Sequence, residues 1–126
     1  MIIMPTIVHF DISVDDVKRA VRFYSELFNW KIEKLPGPTE YFLIETESLD
    51  GEKGIVGGIA KRGSSDQKIT NFIAIPSIDE YILKVKRFGG KIIESKKTLP
   101  GTGYIAGCQD TEGNTFGIME IDENAV

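Results

Sequence analysis

His9 is the one imidazole in the chain, and Asp11 lies two residues beyond it. In an extended strand, residues i and i+2 share a face about 6 to 7 Å apart, so the pair can present a base and a carboxylate to the same small volume. Two chemistries follow from these residue types. An imidazole can act without a metal as a general acid or base. It can also hold a divalent cation, which in a catalytic site generally needs about three protein ligands and an open position. Asp11 supplies one further donor for the second role, and Glu45 or Glu47, in a later strand-like run, is the candidate for a third. The plainer alternative is a hydrogen-bonded His9 beside a solvated or hydrogen-bonded Asp11, and spacing alone identifies no second ligand.

The elements that must position this pair are legible around it. His9, Asp11 and Ser13 alternate with Phe10, Ile12 and Val14, the period of a strand with one polar and one apolar face. From Asp16 the period changes: Val17, Ala20, Val21, Tyr24 and Leu27 line one side of an amphipathic helix. Asp16 is suited to cap that helix, and Asn29 tolerates the left-handed conformation that closes one. Residues 31–35 are a strand ended by Pro36, Gly37 and Pro38, and 41–47 and 55–61 are two more.

The same pattern returns with a shift of 61. Ile73 and Ile75 match Ile12 and Val14, Ser77 matches the cap Asp16, and Ile78, Tyr81, Ile82, Val85 and Phe88 repeat the helix face. Gly89 and Gly90 stop the second helix, strands follow up to Leu99 and around Cys108, and Asp110 to Asn114 is a hairpin turn before the last strand. In that strand a shift of 60 pairs Gly57 with Gly117. The reading is β-α-β-β-β written twice: module one over 5–61, a polar linker over 62–67 and module two over 68–121, in a single domain of 126 residues. The predicted fold is α+β, two tandem βαβββ modules forming a cup-shaped mixed sheet with helices on the outer face. Helical spacing places Tyr24 and Tyr81 in the core. Trp30, Tyr41, Phe72 and Tyr104 could line an apolar cavity or equally pack in a core or an interface.

Composition narrows the partners. With 41% hydrophobic and 27% charged residues and a net charge of -4, acids and bases interleaved, the chain lacks the basic stripe that nucleic acid or an anionic membrane requires. No apolar run approaches the ~20 residues of a membrane helix, and the N-terminal stretch lacks the charged flank of a signal peptide. A cytoplasmic protein is expected. The lone Cys108 cannot form an internal disulfide and reads as a buried, inert thiol. The glycines at 54–58 and 101–103 lack the Lys-Ser/Thr and following helix of a phosphate loop.

With the repeat in view, the chain resembles the vicinal oxygen chelate superfamily, which holds glyoxalase I, bleomycin-resistance proteins and extradiol dioxygenases. The resembling residues are those from His9 to Asp16, Phe23-Tyr24, Phe28 to Trp30, the Phe88-Gly89-Gly90 stop and Asp110 to Asn114. The resemblance implies paired modules around a cup-shaped cavity, and usually a homodimer. In metal-dependent members the cup supplies four ligands, which carry over to His9, Gly57, Thr70 and Gly117. Of these only His9 is a competent ligand. Proton transfer over an enediolate needs a carboxylate that Gly117 cannot provide, and extradiol cleavage needs a second His.

The expected function is therefore small-molecule binding of the glyoxalase/bleomycin-resistance type, with His9 kept and the rest of the metal site lost. The ligand pocket would comprise Asp11, Glu45, Gly57, Thr70, Phe72, Tyr104 and Gly117, with His9 the one catalytic candidate. No cofactor is expected. The alternatives are a divalent-metal lyase, isomerase or dioxygenase with a displaced site of His9, Asp11 and Glu45, and a ferredoxin-like regulatory ligand-binding dimer. Three strand runs after the first helix, where the ferredoxin-like rival needs one, favour the βαβββ reading.

Overall fold

The computed structural model describes residues 3–64 and 66–126. Ten elements follow in the predicted order: β1 (Ile7–Val14), α1 (Val17–Phe28), β2 (Lys31–Lys34), β3 (Tyr41–Glu45), β4 (Val56–Lys61), β5 (Ile69–Ala74), α2 (Ile78–Arg87), β6 (Lys91–Leu99), β7 (Gly103–Gln109) and β8 (Thr115–Ile121). The fold is α+β, βαβββ twice, which excludes the ferredoxin-like alternative. Strand β3 ends before the expected Glu47, which makes only an isolated bridge to Lys53. The polar loop between them turns too early for the ladder to continue.

Both helices are fixed by the caps read from sequence. The Asp16 carboxylate accepts the Arg19 N–H at 3.0 Å, and Asn29 closes α1 in the left-handed region at φ 58° with its N–H on the Ser25 carbonyl. In α2 the Ser77 hydroxyl accepts the Glu80 N–H at 3.2 Å, and the Ile78 N–H donates to Glu120 Oε1 at 2.8 Å. Gly89, at φ 94°, ends that helix in a conformation that a side chain would strain. Asp110 organises the last turn by accepting the N–H groups of Glu112 and Asn114 at 2.8 and 2.9 Å.

The chain divides into two compact units, His9–Thr70 and Asn71–Val126, the latter taking in the chain up to Val8. The Ala74 N–H donates to the Thr6 carbonyl at 3.0 Å, which ties the N-terminal stretch to the second unit. In the first half the strand order is β2-β3-β4-β1, with β1 and β4 parallel and the other pairs antiparallel. In the second it is β5-β8-β7-β6, with β5 and β8 parallel. Each half has its own core. Ile12, Val17, Ile44 and Ile59 pack with Phe10, Ala20, Val21 and Tyr24, while Ile75, Ile78, Ala106, Cys108 and Ile118 pack with Tyr81, Ile82 and Val85. Ile44, Ile59, Ile78 and Cys108 are fully buried, each isoleucine contributing about 1.5–3 kcal/mol of transfer free energy.

Register corrects the repeat in its last strand. Ile12 pairs with Ile59, and its counterpart Ile73 pairs with Ile118, so the shift there is 59 and Gly58, not Gly57, corresponds to Gly117. The difference arises in the connections, because 46–55 in the first half is longer than the turn 110–114 in the second.

Candidate functional site

Strand β1 divides its side chains between two environments. Phe10, Ile12 and Val14 face α1 and its core, which turns His9, Asp11 and Ser13 to the helix-free face of the same sheet. On that face β4 contributes Val56, Gly58 and Ala60, paired with those three residues in turn. Strand β3 follows with Leu43 opposite Gly58 and Tyr41 opposite Ala60. Tyr41 would stay two strands away from Asp11 if the position between them carried a side chain. Gly58 leaves that lane open: a Cβ built there would collide with the Tyr41 ring and hydroxyl.

Through this lane Tyr41 crosses β4 and completes a triangle of close polar contacts with His9 and Asp11. Its hydroxyl donates to Asp11 Oδ1 at 2.7 Å and lies 2.8 Å from His9 Nε2, and Nε2 lies 2.9 Å from the same Oδ1. The His9 and Asp11 side chains are 19% and 28% exposed, enough for a ligand to reach and little enough to keep the bonds partly screened from water. Burial, then the bond to Asp11 and its charge, push the Tyr41 phenol far above the usual tyrosine range, so Tyr41 is a neutral donor. A carboxylate oxygen only accepts, and the Tyr41 proton goes to Oδ1, so we assign a proton to His9 Nε2, shared between Oδ1 and the phenolic oxygen. The arrangement can hold an imidazolium against a carboxylate, and it offers a polar molecule one acidic and one phenolic partner side by side.

The other sequence-predicted positions are dispersed. Gly57 lies on the core face, against the Phe10 ring, and not in the ligand pocket expected on the His9 face. It is therefore no part of the His9 face, because a shift of one residue along a strand reverses the side. Tyr104 packs against the α2 core with Lys96 over its ring at 4.6 Å, where a pocket-lining role was expected. Gly117 lies beneath the Phe72 ring, its register partner, and Thr70 stands two residues before Phe72 on β5. Glu45 shares the parity of Tyr41 but lies about 13 Å further along β3, and it borders a polar cavity of ≈ 440 Å³ with Trp30, Lys31 and Lys53. Trp30 stacks on Tyr24 with centroids 5.3 Å apart, a packing role. Cys108 is buried, which pushes its thiol up to about 11, outside the reactive range.

Sequence reasoning offered Tyr41 only as a possible cavity-lining residue, not as a partner of His9, and gave Gly58 no place in the site. The available signal was the Gly57-Gly58 doublet: two adjacent glycines in a strand open both faces, and one opening is used on each.

The residues present do not fit the divalent ion used by metal-dependent members of the resembling superfamily. His9 Nε2 is engaged by Asp11 and Tyr41, and the glycines at 57 and 117 carry no donor. Among the described residues no group of three or more His, Cys, Asp or Glu side chains is placed to hold a metal, so His9, Asp11 and Glu45 do not assemble into the displaced site. No helix among them is long and apolar enough to cross a membrane.

Comparison with known proteins agrees with this fold. A "Glyoxylase-like domain-containing protein" of Didymella fabae is 27% identical over 114 residues, 86% of this chain and 88% of that protein. A variant of Streptomyces coelicolor methylmalonyl-CoA epimerase, in complex with 2-nitronate-propionyl-CoA, superposes with a TM-score of 0.66 at 12% identity, covering 96% of this chain and 97% of its own. A glyoxalase/bleomycin resistance protein/dioxygenase superfamily member from Vibrio splendidus 12B01 superposes with a TM-score of 0.66 at 11% identity, covering 94% and 100%. The sequence pattern of one family matches residues 6–118, nearly the whole chain. The chain belongs to the Glyoxalase/Bleomycin resistance protein/Dioxygenase superfamily.

Proposed function

We propose that this chain is a small-molecule-binding protein of the glyoxalase/bleomycin-resistance type, whose recognition rests on the His9–Asp11–Tyr41 cluster rather than on a divalent ion. The observation that carries the reading is the closed triangle of polar contacts at 2.7, 2.8 and 2.9 Å on a helix-free, partly exposed sheet face. Such a cluster is pre-organised before any ligand arrives, which limits the ordering cost of binding. The ligand it suits is small and polar, with a donor for the Asp11 carboxylate. We further propose a cytoplasmic homodimer, which light scattering of the purified protein reads directly.

The test uses untagged protein. Elemental analysis should find well under one divalent ion per chain. Thermal-shift measurements with bleomycin, methylmalonyl-CoA and a set of small amines and hydroxy acids should give at least one stabilising compound whose effect disappears in Asp11→Asn and Tyr41→Phe. Stoichiometric metal that depends on His9, or ligand shifts that survive both substitutions, would end this reading.

A further inference from the structure

The two helices stop in the same way and then differ by one side chain. Asn29 closes α1 at φ 58° and Gly89 closes α2 at φ 94°; the next residue, just before the following strand, is Trp30 in the first half and Gly90 in the second. The Trp30 indole covers the end of its own helix. It stacks on Tyr24 with centroids 5.3 Å and planes 6° apart, and it meets Phe28 at 5.1 Å. In the second half glycine sends no ring from that position, and the helix end borders a cavity of ≈ 340 Å³ walled by Tyr81, Val85, Phe88 and Phe116. Val85 is the repeat counterpart of Tyr24, so the cavity lies where the first half keeps its indole.

The chain does not fill this space from Gly90. A Cβ built there would lie 2.8 Å from the Gln109 carbonyl oxygen and 2.9 Å from Val85 Cγ1, so the backbone is already too close to β7 and α2 for a side chain. Phe88 is left 74% exposed at the cavity wall. The charges at the rim have partners within the chain: Lys84 lies over the Tyr81 ring at 4.7 Å and pairs with Glu80 at 3.4 Å, and the Asp110 carboxylate accepts the N–H groups of Glu112 and Asn114. What remains for a ligand is aromatic and aliphatic surface, which suits an uncharged planar ring. The volume is at the lower end of the ~300–1,000 Å³ found for small-molecule sites.

We propose that this cavity is a further small-molecule site, taking an uncharged bicyclic aromatic molecule of indole size, which covers the end of α2 as Trp30 covers the end of α1. The inference does not rest on the His9 cluster, none of whose residues lines the cavity.

The experiment titrates indole itself into the wild-type protein and into Phe88→Ala, with binding read by calorimetry and by the NMR shifts of the Val85 methyls, the Phe88 and Phe116 rings and the His9 ring. Phe88 is exposed, so its truncation should leave the fold intact. Wild type should bind indole saturably at one site per chain, moving the Val85, Phe88 and Phe116 signals and leaving those of His9 in place. Phe88→Ala should weaken that binding about tenfold, the loss of one aromatic wall. No saturable shift at the cavity, or binding that Phe88→Ala leaves intact, overturns the site. Indole that moves the His9 ring instead belongs to the His9 cluster and also overturns it. Self-association that Phe88→Ala abolishes, with no indole bound, would give the cavity to a second copy of the chain and end the proposal. Failure at this cavity leaves the reading of the His9 cluster standing, because that reading is tested by Asp11→Asn and Tyr41→Phe on the other sheet face.

Discussion

Gly58 in β4 and Gly117 in β8 occupy matching positions in the two halves, and each lies beneath an aromatic ring, but the rings arrive from opposite neighbours. Over Gly58 the ring is Tyr41 from β3; over Gly117 it is Phe72 from β5, the counterpart of β1. By the same register Phe72 stands where the first half has Asp11, Ile105 where it has Tyr41, and Thr70 where it has His9. Both halves keep the glycine seat, which a neighbouring ring fills. Only the first has a carboxylate, a phenol and an imidazole around that seat. The duplicated backbone therefore sets where a ring can rest, and the residue types on the flanking strands decide whether that resting place does chemistry.

The comparison breaks most visibly in the cores. Ile59 and Ile118 are repeat-equivalent, at 0% and 2% exposure, each beneath its own helix. Truncating either to Ala removes a buried side chain where little can collapse, so each should cost about 2–5 kcal/mol of unfolding free energy in denaturant titration. A loss below about 1 kcal/mol at one site alone would mean that its half is not packed as described.

Much of this symmetry was legible in the sequence. Caps, helix faces and strand runs follow from local chemistry, and Asp16, Ser77, Asn29 and Gly89 perform at their positions what their residue types allow. The strand register was not legible. Whether Gly57 or Gly58 faces His9 depends on the length of the connection 46–55, which no periodicity reports, and a one-residue error reverses the face. For the same reason Tyr104 read as pocket lining and turned out to be core. The Tyr41 contact was illegible because it joins residues thirty positions apart through the absence of a side chain.

The seats themselves give a sharper test. Gly58→Ala and Gly117→Ala each force a ring away from tightly packed backbone, and each should cost about 1–3 kcal/mol by overpacking. Their local effects should differ. Gly58→Ala should shift the His9 ring resonances because it expels the hydroxyl from Nε2, whereas Gly117→Ala should leave them in place. Equal shifts from both would show that the two seats are not the separate features described above.

Tyr41→Phe should give the smallest effect, and its size depends on pH. The ring remains on its seat, so the substitution removes hydrogen bonds without opening a cavity, about 0.5–1.5 kcal/mol near neutral pH. The phenol is raised in the folded protein, first by burial and then by Asp11, above the ordinary value near ~10 that it has in the unfolded chain. Below that value both states hold the proton and its contribution is complete. As pH rises through it the unfolded state loses a proton that the folded state keeps, so the stability of the wild type must fall. Cys108 adds a similar decline in the second core, beginning at the unfolded thiol value near ~8.5 and ending at about 11. Denaturation midpoints measured from pH 8 to 11 should therefore decline in both proteins up to about pH 10. Beyond that point the wild type should decline more steeply than Tyr41→Phe, and Cys108→Ala should remove the earlier part of the slope. Parallel curves for wild type and Tyr41→Phe above pH 10 would mean that the phenol is not held by burial and Asp11, and the first half would lose the feature that distinguishes it from the second.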